Sequence, residues 1–110
     1  MEIKKMEKVV DWCNANYGLK GGVPSICFRK DIEMSNDGFY IEEDNTITVK
    51  VDTDREMIKT IIHEWQHYLQ SKDQFEMLYN MGYSYEDHPF EVVANAISNR
   101  DWKECFDKVD

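Results

Sequence analysis

The sequence is short of cations, proline and cysteine, and no long apolar run crosses it. Across 110 residues, 13 Lys plus Arg face 22 Asp plus Glu, giving a formal net charge of −9 at pH 7. A nucleic-acid surface neutralises phosphates with clustered cations, whereas the only basic pair near an end here is Lys4-Lys5. DNA and RNA are therefore poor partners. No stretch approaches the roughly 20 apolar residues that span a bilayer, and the first eight residues lead into no apolar signal core, which points to a cytoplasmic chain. Cys13, Cys27 and Cys105 are odd in number and lack CxxC spacing, which argues against a disulfide framework or a thiolate zinc knuckle. They read as small buried hydrophobes. With two prolines, no internal repeat and no low-complexity linker, residues 1–110 read as one monomeric domain.

Apolar periodicity supplies the elements. Ile3, Met6, Val10, Cys13 and Tyr17 recur at helical spacing, and Gly18 stands where a helix would end. After Gly21-Gly22, the alternation of Ile26 and Phe28 with Ser25 and Cys27 predicts a strand over 23–29. A turn is expected at Ser35-Asn36-Asp37-Gly38. Phe39 to Glu42 and Thr46 to Val51 then flank the polar turn Glu43-Asp44-Asn45 as a hairpin. Thr53 and Glu56 have capping-box spacing, so a helix begins there and carries Met57, Ile58, Ile61, Ile62, Trp65, Tyr68 and Leu69 inward. A short helix over 75–81 closes at Gly82, and Tyr83 to His88 form a tyrosine-rich loop. Pro89 can open a helix at its first turn, with Phe90, Val93, Ala94 and Ile97 inward, and Trp102, Cys105, Phe106 and Val109 continue a terminal helix. The three tryptophans fall at apolar helical positions, as core or groove residues.

Within the central helix stands His63-Glu64-Trp65-Gln66-His67, the HExxH pattern. Residues four apart lie on one helical face, so the two imidazoles can bind one metal while Glu64 stands beside them as a base for water. Shuffling this composition yields the pattern in about one chain of 200. The neighbours Ile61, Ile62, Trp65, Gln66, Tyr68 and Leu69 are uncharged, which suits a site where a further charge would be costly to bury. The plain alternative is a pair of ordinary histidines on a well-packed helix. Gln70 and Asp73 stand where the HExxHxxGxxH form has glycine and histidine, which excludes the metzincin type.

Downstream runs His88-Pro89-Phe90-Glu91-Val92-Val93-Ala94-Asn95. Here the chain resembles the gluzincin zinc peptidases, whose HExxH helix is joined by a glutamate from a second helix in an ExxA or ExxxD pattern. Glu91 to Ala94 reads ExxA, and Asn95 departs from the aspartate of ExxxD, a residue that orients a zinc-bound histidine. The order of helix, small sheet, HExxH helix and glutamate helix is most similar to the minimal single-domain members. The resemblance implies an α+β zincin-like fold, one catalytic Zn2+ held by His63, His67 and Glu91, and hydrolysis of a peptide or protein substrate with Glu64 as general base. It also implies an edge strand that holds substrate extended, with Phe39 to Glu42 the candidate. Tyr83, Tyr85 and His88 are candidate oxyanion donors from their place in the loop, against the simpler roles of packing for the tyrosines and helix capping for His88. His88 is also an alternative third ligand, but Pro89 puts it at the helix boundary while Glu91 lies inside the helix. A zinc-holding peptide-binding module without turnover is the first rival, and a metal-free interaction domain the second.

Overall fold

The computed structural model describes residues 1–30 and 37–110, so the Ser35-Asn36 half of the expected turn lies outside the described residues. The chain is α+β: α1 (Ile3–Tyr17), β1 (Ser25–Arg29), β2 (Gly38–Ile41), β3 (Thr46–Lys50), α2 (Asp54–Leu69), α3 (Lys72–Asn80) and α4 (Pro89–Val109). Among the described residues, no helix is long and apolar enough to cross a membrane.

The three strands form one mixed sheet in the order β1-β3-β2. β2 and β3 make the predicted antiparallel hairpin, with Phe39 opposite Thr48 and Ile41 opposite Thr46. Asn45 turns it at φ 48°, a left-handed conformation that asparagine tolerates, and its side chain accepts from the Tyr40 hydroxyl at 2.9 Å. β1 adds on the far side of β3 in parallel. β2 is thus an edge strand, as the sequence suggested.

α2 is the element around which the rest is packed. Thr53 caps its start by accepting from the Glu56 amide at 3.3 Å. The reciprocal half of the capping box is absent: Asp52 takes the Thr53 amide at 2.7 Å, and Glu56 pairs with Arg55 at 3.1 Å. Met57, Ile58, Ile61, Ile62, Trp65 and Tyr68 are all buried, together with Ile47 and Val49 of β3, Val9, Trp12 and Cys13 of α1, and Cys105 and Val109 of α4. Burial of this apolar surface is the principal favourable term in holding the layers together. The two aromatic tips of α2 find polar partners in the connection after α1. Trp65 Nε1 donates to the Gly18 carbonyl at 3.1 Å, and Tyr68 donates to the Gly22 carbonyl at 2.8 Å while accepting from the Lys20 amide at 2.9 Å.

Several expectations need correction. Ile3 is 71% exposed, because the buried stripe of α1 runs through Val9, Trp12 and Cys13. Val93 is 48% exposed, and Glu91 and Ala94 are the residues that α4 turns inward at this end. Cys13 and Cys105 are buried as expected, but Cys27 is exposed on β1 at the sheet edge. α3 begins at Lys72 rather than 75, because the Ser71 hydroxyl accepts from the Gln74 amide at 3.3 Å and caps it there. The two expected C-terminal segments are one continuous helix. Trp12 and Trp65 lie in the core, and Trp102 packs against it.

Gly38 opens β2 and lies tight against both the β3 backbone and α2. A methyl group there would meet the Thr48 carbonyl oxygen and come within 2.7 Å of Thr60 Cγ2. Backbone on one side leaves little room to yield, so Gly38→Ala should lower unfolding free energy by about 1–3 kcal/mol in denaturant titration. A variant as stable as the parent would show that the edge strand is not held against α2 this tightly.

Candidate metal centre

His63 and His67 occupy one face of α2, a turn apart, with ring centroids 5.0 Å apart and Nε2 atoms 3.2 Å apart. Glu91 reaches them from α4. Pro89 opens that helix, placing Glu91 in its first turn, and the fully buried Ala94 one turn later adds only a methyl group to the packing of α4 on α2. Glu91 Oε1 lies 2.7 Å from His63 Nε2, and Oε2 lies 2.8 Å from His67 Nε2. The three groups offer ligand atoms within 4.8 Å of one another. All three predicted ligands are therefore brought together.

The arrangement suits a cation. Glu91 Oε2 is buried and has no hydrogen-bond donor, although it lies 2.8 Å from His67 Nε2. The two Nε2 atoms face each other at a distance where at least one of them must be bare. Two imidazole nitrogens and a carboxylate are also the donor set that a three-ligand zinc site uses. Glu64 lies alongside, 95% buried, with Oε1 3.8 Å from His63 Nε2.

Charge couples these groups. Burial alone would raise the Glu91 carboxyl, yet His63 and His67 outweigh it and hold the group at about 2. Burial likewise opposes a charged His67, but Glu91 and then Glu64 overcome it and raise the imidazole above its ordinary value. Glu64 is raised mainly by burial, with the histidines opposing and Glu91 adding to the shift.

The loop candidates separate. Tyr85 lines the site, and burial followed by the Glu91 and Glu64 carboxylates pushes its hydroxyl up to about 12, so it keeps its proton at neutral pH as a donor. Tyr83 is exposed. His88 is not available as an oxyanion donor or as a ligand. It is wholly buried and stacks on Phe75 with centroids 3.9 Å apart; its Nε2 donates to the Phe75 carbonyl at 2.9 Å, and its Nδ1 accepts from the Phe90 amide at 3.1 Å. Both ring nitrogens are committed to capping α4 and tethering α3. Asn95 lies on the rim of the site, and among the described residues no hydrogen bond joins it to either imidazole. Gln70, which the sequence comparison with metzincins treated only as a mismatch, instead meets His67 Nδ1 with its Oε1 at 2.7 Å. The available signal was its spacing: three residues after His67, on the same side of the helix end.

The site opens on a trough beside β2. One cleft of about 380 Å³ includes Asp37, Thr60, His63 and Glu91 in its lining, and another of about 330 Å³ includes Phe39, Tyr40, Ile41, His67 and Phe75. They share Gly38, Glu64 and Tyr85, and so meet at the cluster.

The family described as Protein of unknown function (DUF3920) matches the chain over residues 7–108, and the chain belongs to that family. Neither a curated protein nor a solved structure matches it.

The linked charges fix the sign of a pH effect in metal-free protein. Glu91, depressed from 4.5 to about 2, contributes stability that is present above about 4.5 and lost as pH falls toward 2. His67, raised from 6.5, contributes stability that is present below about 6.5 and lost as pH rises through its folded value. Glu64, also raised, contributes a loss of the same sign that begins as pH rises above about 4.5. Chelator-treated protein should therefore melt at lower temperature at about pH 8 than at about pH 5. Added zinc should reverse that slope, because it displaces the same protons. A zinc-independent slope would contradict the coupling. For His88, replacement by Ala should lower stability by about 1–3 kcal/mol through the loss of buried hydrogen bonds while zinc stoichiometry stays intact. Loss of zinc from a folded His88→Ala protein would mean that the ring reaches the metal.

Proposed function

We propose that this member of a family of unknown function is a zinc-dependent metallopeptidase of the gluzincin type, with a zincin-like fold and a peptide or protein substrate. The observation that carries the proposal is the convergence of His63, His67 and Glu91 within 4.8 Å, with the buried Glu64 beside them. An isolated HExxH helix provides two of the three donors; the glutamate from α4 supplies the third, which completes the count that a catalytic zinc site uses.

Bound zinc would supply Lewis acidity, polarising a carbonyl and making a water easier to deprotonate. The chain's own residues account for the other requirements. Glu64 accepts the proton of the attacking water and passes it to the leaving amine, and its raised pKa brings it closer to the working pH of a base that must also act as an acid. Tyr85 keeps its hydroxyl proton and stands at the meeting point of the two clefts, where it can donate to the oxygen on which charge develops. Among the described residues β2 pairs with β3 along one edge only, so its other edge can offer main-chain groups to an extended peptide lying in the trough. Burial of Glu64 on α2 and of Glu91 on α4 keeps both carboxylates in a medium where their interactions are strong.

Protein purified without added metal should hold about one zinc per chain by elemental analysis, and His63→Ala, His67→Ala and Glu91→Gln should each lose it. Full zinc retention in all three would end the metal-site proposal. Glu64→Gln should keep zinc and fold while cleavage of an unfolded protein falls by at least 100-fold, since the amide cannot take the proton. Wild-type protein that holds zinc but cuts no peptide would favour a zinc-containing peptide-binding module instead.

A further inference from the structure

Gln70 joins both ligand-bearing helices, and the direction of its side-chain amide follows from its partners. The Phe90 carbonyl oxygen carries no hydrogen, so the nitrogen end of the Gln70 amide must face it, and Nε2 donates there at 3.2 Å. That leaves Oε1 toward His67 Nδ1 at 2.7 Å. Oε1 carries no hydrogen either, so the proton between them belongs to Nδ1. A neutral imidazole has one ring proton, and its Nε2 is then bare. Nε2 is the atom that faces His63 and Glu91.

Resting on the metal-site reading above, we infer that Gln70 is a positioning residue that fixes His67 in the Nδ1-protonated tautomer and ties it to the first turn of the helix that carries Glu91. Its own backbone is anchored for this purpose. Gln70 is the C-cap of α2, and its amide donates to the carbonyls of Gln66 at 3.1 Å and His67 at 3.2 Å. Phe90, the acceptor at the other end, is the neighbour of Glu91 in sequence. One side chain thus sets the ring orientation of one ligand and the approach of another.

Glutamine also fits better than its neighbours in chemistry. A glutamate at this position could accept from Nδ1 but could not donate to Phe90, and it would place a further carboxylate near Glu64 and Glu91. A leucine would fill similar volume and provide neither bond. The general scale for losing such an outer partner is about 10 to 100-fold in metal affinity.

The test uses full-length wild type, Gln70→Leu and Gln70→Glu. Zinc affinity is measured by competition with a chromophoric chelator, fold by circular dichroism, and the His67 tautomer by long-range nitrogen NMR of metal-free protein at a pH where the imidazole is neutral. Wild type should show His67 protonated at Nδ1. Gln70→Leu should keep the fold, bind zinc about 10 to 100-fold more weakly and lose the single tautomer. Gln70→Glu should retain Nδ1 protonation and recover part of the affinity lost in Gln70→Leu, since the acceptor remains. Wild-type affinity in Gln70→Leu, or a wild-type His67 protonated at Nε2, would overturn the inference. If Gln70→Leu does not fold, the wild-type tautomer and the Gln70→Glu affinity still decide it. Failure of wild type to bind zinc would remove the metallopeptidase proposal, while the tautomer measurement would still judge Gln70.

Discussion

Two imidazole nitrogens and a carboxylate directed at one point, in the seam between two packed helices, form the constraint on which this structure turns. Such a convergence is unfavourable without positive charge between the donors. In metal-free protein that charge comes from protons, which explains why His67 is raised while Glu91 is held at about 2. A divalent cation would answer the same demand with a single charge centre. The helices are held in place by apolar burial rather than by the site itself. Ile58, Ile61, Ile62 and Trp65 anchor α2 in the core, and Ala94 lies fully buried on α4. The site is therefore built from outside inward, with packing setting the geometry that the polar groups must satisfy.

The periphery follows from that arrangement. The sheet puts β2 at its edge, and Gly38 brings that edge close to α2 without a side chain in the way. α3 is tethered through the stacked pair Phe75 and His88 and through the ion pair Lys72–Glu43 at 3.1 Å. The ion pair is exposed and contributes little; the stack of Phe75 on buried His88 and the hydrogen bond from His88 Nε2 to the Phe75 carbonyl hold the segment. A trough between β2 and the helices results, and the donor cluster lies in its floor.

Much of this was legible in the sequence because it depends on local spacing. Residues four apart share a helical face, so His63 and His67 were placed together from their numbers alone. Pro89 marked the start of α4 and hence the depth of Glu91. The hairpin followed from alternation around a polar turn. What was illegible depends on tertiary context. The inward face of a helix is chosen by what packs against it, so Ile3 and Val93 fit an apolar stripe in sequence yet point outward. Cys27 alternates correctly in a strand but lies on an uncovered edge. His88 carries the chemistry of a ligand, and only the position of Phe75 reveals that both its nitrogens are spent on structure. Gln70 is hidden for the same reason: its partner Phe90 lies 20 residues away, across a helix and a loop.

The site proposed for this chain holds one zinc ion by two histidines and one glutamate, with no thiolate. X-ray absorption at the zinc edge of protein purified without added metal reads that ligand set directly. The expected shell contains nitrogen and oxygen scatterers only, at about 2.0–2.2 Å, with the outer-shell pattern of two imidazoles. A sulfur scatterer near about 2.3 Å, or the pattern of three imidazoles, would contradict it.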